Sequence, residues 1–274
     1  SLPIGVRLKK KFGIKLIYDA HEIWGYMVQK DLPKIWANYY LKLEKKIIKN
    51  CDEIIIAEDR YADYYKLITD TRLTVLLNCK KIFLSNYKKS ENEVLTLLYI
   101  GTLTPPRFIV ELIEVVKKIE NVKCIIGGIG KKNYVKLIEN KAKHAKNVEF
   151  IGKVPFKKVI PLTLKSDVVV CMINPSNFNN KIATANKQFE AMVCGRPIIC
   201  TKDTRSGEIT LERKCGLVVD YSKNGLREAI IQLRDSTALC VNFGKNALNA
   251  AISEYNWQNQ SKKLLKLYNR FQGE

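Results

Sequence analysis

Short runs of Val, Ile and Leu alternate with stretches in which apolar residues recur every three or four positions, and this alternation holds along the whole chain. The runs read as strands and the periodic stretches as amphipathic helices, an order that predicts parallel sheets covered by helices, an α/β fold. In the first part, strands are expected at 15–18, 53–57 and 73–77, with helices at 32–50 and 59–68. The polar stretch 85–93, SNYKKSENE, lacks apolar periodicity and reads as a linker, dividing the chain into domains at 1–90 and 91–274. The second domain has strands at 95–100, 122–126, 148–151, 168–173, 197–201 and 216–219, between helices at 108–119, 133–143, 157–165, 186–194, 225–235 and 237–255. Six strands make a complete doubly wound sheet; three make half of one. The first domain is therefore expected to be either a fragment whose missing half precedes Ser1 or a compact three-strand cap.

A hydrophobic fraction of 46% in 274 residues is that of a globular protein with a sizeable core. The longest apolar runs, 168–173 and 193–200, are far shorter than the roughly 18 residues that cross a bilayer. No basic start followed by a continuous apolar core opens the chain, so no secretory signal is expected. The eight cysteines form no CxxC pair and lie mostly in Val/Ile-rich segments, which predicts reduced core thiols in a cytoplasmic protein. With only His21 and His144 to join them, no metal site and no cofactor are expected.

Charge narrows the class of partner. The balance of 47 Lys+Arg against 27 Asp+Glu, a net +20, suits a negatively charged ligand: phosphate, anionic lipid or nucleic acid. Abundant Lys beside Asn and Ile is equally what an AT-rich genome produces. No recognised nucleic-acid module is present, and nucleic acid is not an expected partner. The helical stretch at 34–49 combines Ile35, Trp36, Tyr39, Tyr40, Leu43 and Ile47 with Lys34, Lys42, Lys45, Lys46 and Lys49. Such a helix either rests on an anionic membrane or packs its aromatic face on its own sheet.

Three segments carry candidate chemistry. After the strand at 95–100, Gly101 to Arg107 (GTLTPPR) leads into a helix; in an open α/β sheet ligands bind beyond the strand carboxyl ends, and Arg107 is placed to grip a diphosphate, unless it is one exposed Arg on an ordinary turn. Gly127-Gly128-Ile129-Gly130 similarly follows a strand and precedes a helix, a context that fits a phosphate loop or simply a tight turn. The third, Thr184 to Pro197, reads TANKQFEAMVCGRP. A helix starting near Asn186 sets Lys187 in its first turn and Glu190 at i+3 on the same face. Lys187 opposes the helix dipole there, a cost that a bound anion offsets, and an ionised Glu190 accepts from a ribose diol. The alternative is a surface ion pair between the two.

The run Asn186-Lys-Gln-Phe-Glu-Ala-Met-Val-Cys-Gly-Arg-Pro resembles the donor-site signature of the family 4 retaining glycosyltransferases, of GT-B fold. Tyr99-Ile-Gly-Thr-Leu with Arg107, Asn147-Val-Glu-Phe-Ile-Gly-Lys-Val, Ser166-Asp-Val-Val-Val, Glu208, Gly216-Leu-Val-Val and Tyr255-Asn-Trp257 are similar to further motifs of that family, in the same order. In the first domain Asp19-Ala-His-Glu22, Leu43-Glu44-Lys45 and Asn78 match as well. The resemblance implies two Rossmann-type domains, the first incomplete, and a last helix crossing back towards the first. It also implies a donor site: Arg107 and Lys187 at the phosphates, Glu190 at the ribose, backbone N–H groups of Thr184, Ala185 and Asn186 at the sugar, and Gly101, Gly128, Gly130, Lys153 and Val154 around the nucleotide. His21 would line the cleft at the reacting sugar. Two positions depart from the pattern: Ile182 replaces the glutamate that touches the donor sugar, and Thr102 replaces a usual Arg.

The function so implied is transfer of a sugar, with retention, from a nucleotide-diphosphate sugar to a glycan or lipid-linked acceptor, at the cytoplasmic face of a membrane. Ile182, Thr102 and the short first domain also fit a donor-binding protein without catalysis. An epimerase on the same fold is a further alternative.

Overall fold

The computed structural model describes residues 2–28 and 32–272. Contacts divide the chain into two units, Ser1–Asn78 with Gln258–Glu274, and Cys79–Trp257.

The first unit holds α1 (Leu2–Phe12), β1 (Ile17–Ala20), α2 (Trp24–Val28), α3 (Lys34–Ile47), β2 (Glu53–Ile56), α4 (Tyr61–Lys66) and β3 (Leu73–Val75). Its sheet has the order β1-β2-β3, all parallel. Helix α3 buries Ala37 and Glu44 and continues into a 3-10 turn with buried Ile48, a stripe at helical spacing. The Glu44 carboxylate accepts from the hydroxyls of Tyr18 (3.3 Å), Tyr64 (2.9 Å) and Tyr65 (3.3 Å), and burial raises its pKa against the opposing pull of those hydrogen bonds. The expected packing of the whole aromatic face of α3 on its sheet is corrected: Ile35 is 75% exposed, Trp36 51% and Tyr39 53%, because the buried stripe runs through Ala37 and Glu44 instead.

The second unit contains β4 (Leu95–Leu103), α5 (Ile109–Val116), β5 (Val122–Gly130), α6 (Lys132–Lys143), β6 (Val148–Phe150), α7 (Phe156–Lys165), β7 (Val168–Cys171), α8 (Phe178–Ile182), α9 (Asn186–Val193), β8 (Ile198–Thr201), α10 (Arg205–Glu212), β9 (Gly216–Val219), α11 (Lys223–Asp235) and α12 (Thr237–Ser253). A last helix, α13 (Trp257–Gln272), carries the chain into the first unit. The six parallel strands lie in the order β6-β5-β4-β7-β8-β9, the doubly wound arrangement in which the winding direction reverses between β4 and β7. Leu97, Tyr99 and Leu103 of β4 join α5, α6 and α11 in one core, while the alternate residue Leu98 is buried outside that core, so both faces of the sheet are covered.

Two expectations need correction. The segment 79–90 belongs with the second unit, so the boundary falls after Asn78 and not after residue 90, while 258–274 joins the first unit. The polar linker is bolted down by partners distant in sequence: Arg196 Nη1 donates to Lys88 O (2.7 Å), Ser90 and Asn92 donate to Asp167, and the Tyr87 ring lies against the bare backbone of Gly195 and Gly244. In the first unit, Gln260 Oε1 accepts from Leu77 N and Arg270 pairs with Glu53 at 2.7 Å. The second correction concerns the glycine segments. Residues 101–103 and 127–130 are strand, not turn: β4 and β5 continue through them, pairing Gly101 with Gly128, Thr102 with Ile129 and Leu103 with Gly130, and the first segment turns only after Leu103.

Helices α1, α2, α8 and α10 have no counterpart in the sequence reading, since each is short or lacks a strong apolar period. All eight cysteines are free, and seven are buried. Among the described residues no helix is long and apolar enough to cross a membrane.

Candidate functional site

The extended β4 and β5 bring their carboxyl ends to the start of α9, around a cavity of about 400 Å³. This is the crevice where the winding reverses, the usual ligand position in such sheets. Gly101, Arg107, Gly128, Lys153, Val154, Ala185, Asn186, Lys187 and Glu190 line it together. Nine of the residues expected at a donor site, from four separate segments, thus meet at one place. Lys80, Tyr99, Ile129 and Phe156 also line the wall, and none of these was singled out as a site residue from sequence. Gly130 and Thr184 are not among the lining residues: Gly130 ends β5, where a side chain would strike the Leu103 backbone, and Thr184 precedes the helix start.

Close approach makes the glycines necessary. A Cβ on Gly128 would lie 1.8 Å from the carbonyl oxygen of Gly101, and both glycines have φ near +150°. Arg107 sits in a 3-10 turn, Pro105–Arg107, held by Asn174 N donating to Pro106 O (2.8 Å). The next residue, Phe108, adopts φ 59 and drives its ring into the core against Tyr221, with ring centres 4.5 Å apart. Strain at Phe108 is thereby offset by burial, and the guanidinium one residue earlier is left at the cavity wall without a carboxylate partner among the described residues.

Lys187 is buried, and its Nζ lies 3.4 Å from the centre of the Tyr99 ring. The ring is locked by its own hydroxyl, which donates to Thr102 O at 2.7 Å. Burial lowers the Lys187 pKa to about 7; Arg107 pushes the same way, and Glu190 and Cys171 oppose it. Lys187 also stands in the first turn of α9, the positive end of that helix, so a bound anion would favour its charged form.

Glu190 does not pair with its helical neighbour. Its Oε1 lies 3.3 Å from Lys80 Nζ, which also sits 5.1 Å from the centre of the Phe156 ring. The expected alternative of a surface pair between Lys187 and Glu190 is thus corrected: Lys187 is turned onto Tyr99, and both residues are buried. Ala185 N already donates to Ser206 Oγ at 3.2 Å, so its amide is engaged, whereas the following residues open the helix, whose first amides lack intrahelical acceptors. Behind the wall, Gln188 Nε2 donates to Thr210 Oγ1 and Cys200 Sγ to Gln188 Oε1, which anchors α9 from its inner side.

Four basic side chains, Lys80, Arg107, Lys153 and Lys187, therefore face one carboxylate, Glu190. This balance suits a dianionic diphosphate beside a neutral diol. Among the described residues no three His, Cys, Asp or Glu side chains gather to hold a metal ion. His21 follows β1 in the first unit, with Nε2 3.3 Å from Asp19 Oδ2 and its side chain largely exposed.

Residues 95–236 match the family model described as glycosyl transferases group 1, more than half of the chain. The chain belongs to that family. Two uncharacterized glycosyltransferases of Methanocaldococcus jannaschii are 22% and 24% identical to it, each over 97% of the chain. The chain spans 65% of the length of the first and 71% of the second. Among solved structures, the sucrose-phosphate synthase of Thermosynechococcus elongatus superposes with a TM-score of 0.79 at 17% identity, over 98% of this chain and 71% of that one. Anabaena HepE, solved in complex with UDP and glucose, gives 0.80 at 16% identity, over 98% and 75%. These likenesses establish the α/β, GT-B-like fold class that the motifs imply.

Proposed function

We propose that this group 1 glycosyltransferase binds a nucleotide-diphosphate sugar in the cavity of its second unit and transfers the sugar, with retention as in family 4, to a glycan or lipid-linked acceptor. The observation that carries the reading is the convergence of Arg107, Lys187 and Glu190 on one cavity at the carboxyl ends of β4 and β5. Arg107 and Lys187 are assigned to the diphosphate, Glu190 to the ribose, and Gly101, Gly128, Lys153 and Val154 to the nucleotide. The complex of Anabaena HepE with UDP and glucose supports the donor class.

Negative charge grows on the leaving diphosphate as the bond to the sugar breaks. Arg107, Lys187 and the free amides at the start of α9 would stabilise it in place, as preorganised charges that need no reorientation. In this reading those charges take the role that a metal ion fills in other folds. With the Ala185 amide engaged, the sugar contacts fall to the amides of Asn186 and Lys187. A role for His21 at the reacting sugar rests on the motif at 19–22. The exposed Ile35, Trp36 and Tyr39 of α3, with exposed Lys34, Lys42, Lys45, Lys46 and Lys49, favour a peripheral contact with an anionic membrane and hence a lipid-linked acceptor.

The test is calorimetric titration with UDP-, GDP- and ADP-hexoses, followed by NMR of the anomeric proton in the product formed with candidate acceptors. Saturable binding of one donor and an unchanged anomeric configuration are expected. No binding of any nucleotide sugar would overturn the donor assignment, and an inverted product would overturn retention.

A further inference from the structure

Lys80 reaches the cavity wall from the segment that opens the second unit, ahead of its first strand. Its backbone bridges to Asn256 and accepts from Trp257 N at 2.9 Å, which ties the start of the second unit to its end. From that fixed point its side chain runs into the cavity, passes 5.1 Å from the centre of the Phe156 ring and ends on Glu190. Its side chain is 20% exposed and that of Glu190 12%.

The pairing has a chemical consequence. A carboxylate this buried needs a charged or hydrogen-bonding partner, and the nearest cation along its own helix is Lys187, three residues earlier. Were Glu190 to turn to Lys187, the two charges would cancel, and the site would lose its ribose acceptor and a phosphate cation together. Lys80 supplies the partner from the other side. It engages one oxygen, and a carboxylate has about four acceptor positions on two oxygens, so a vicinal diol can still be bound.

We propose that Lys80 is a positioning residue that holds the Glu190 carboxylate aimed at the vicinal hydroxyls of the donor ribose, and so sets the selectivity of the site for ribonucleotides. The proposal rests on the donor-site reading above. It is tested by titrating the full chain with the 5′-diphosphates of uridine, guanosine and adenosine, each beside its 2′,3′-dideoxy analogue. Wild-type protein should prefer the ribonucleotide. Lys80→Met should weaken ribonucleotide binding about tenfold, as expected for loss of a charge-assisted contact, and leave dideoxynucleotide binding within about twofold. Lys80→Arg should restore most of the preference, and in a Glu190→Gln background Lys80→Met should cost nothing further.

An equal loss for both nucleotides would make Lys80 a general attractor of anions and overturn the proposal while leaving the donor site intact. No saturable binding by the wild type would overturn the donor-site reading itself. A thermal melt of Lys80→Met within a few degrees of wild type separates either result from misfolding.

Discussion

The ammonium of Lys187 rests on the face of the Tyr99 ring, 3.4 Å from its centre, at the positive end of α9 with no carboxylate paired to it. Its pKa is lowered to about 7, chiefly by burial. A diphosphate favours the charged form. At pH 8 the empty site has mostly shed this proton, so binding a nucleotide sugar, whose diphosphate diester does not titrate in this range, should take up close to one proton. Affinity should fall as pH rises above about 7. Calorimetry at pH 8 in two buffers of different ionisation enthalpy measures the uptake, and buffer-independent heats would refute it.

Stability carries the opposite signature. The unfolded lysine keeps its proton up to its ordinary value of 10.5, while the folded one loses it near 7. Between those values the unfolded state binds more protons, so this group makes the fold more stable as pH rises, with its full cost present below pH 7. Lys187→Met should therefore stabilise the empty protein at pH 6 by about 1–3 kcal/mol and flatten the rise, while abolishing donor binding. Urea denaturation at pH 6 and 9 reads both effects.

Arg107→Lys should not be a mild change. The guanidinium presents a planar pair of donors to a diphosphate, whereas an ammonium on the same 3-10 turn offers a point charge. Affinity for a nucleoside diphosphate should drop about tenfold and that for the monophosphate much less, as competition binding would detect. An equal drop for both would remove Arg107 from the second phosphate.

Gly128→Ala should disrupt the site through the backbone. The new Cβ would lie 1.8 Å from Gly101 O, so the paired ends of β4 and β5 must part, at a cost of about 2–3 kcal/mol. Donor affinity should fall with it. Amide exchange at 101–103 and 128–130 should quicken, and unchanged exchange would count against the strand pairing.

In the first unit, Arg270→Ala should leave buried Glu53 without its cation and destabilise the protein by about 2–4 kcal/mol. Denaturation should recover most of this loss in Arg270→Ala/Glu53→Gln. On α3, Trp36→Ser with Tyr39→Ser should weaken co-sedimentation with vesicles of anionic lipid. If wild-type protein sediments equally with zwitterionic vesicles, or with neither, the membrane contact fails.

Much of this was legible in the sequence. The helix at 186–193 could be read because its signals are local: adjacent residues set Lys187 and Glu190 at helical spacing, and a strand follows directly. The six strands of the second sheet followed from the alternating pattern and the gathering of Arg107, Lys153 and Glu190 from the motifs, since a doubly wound sheet brings strand carboxyl ends together wherever they lie in the chain. Local pattern also predicted the buried thiols.

Other features were decided only by tertiary contact. Glycines at 128 and 130 read as a turn because their conformational freedom is a local property, yet the pressure that selects them is the neighbouring strand, whose carbonyls at Gly101 and Leu103 leave no room for a side chain, while the side chains of Val154 and Ile151 crowd Gly127. The polar stretch 85–93 reads as free linker because nothing in it is apolar; Arg196 and Asp167, both far along the chain, hold it. Lys80 and Glu190 likewise look unrelated in sequence, and only the bridge at Asn256 brings the lysine to the cavity. Sequence marked nine of the residues that line the cavity and left Lys80 and Tyr99 unmarked. Which charge faces which was left to packing, because a side chain's partner depends on the element that the fold lays beside it.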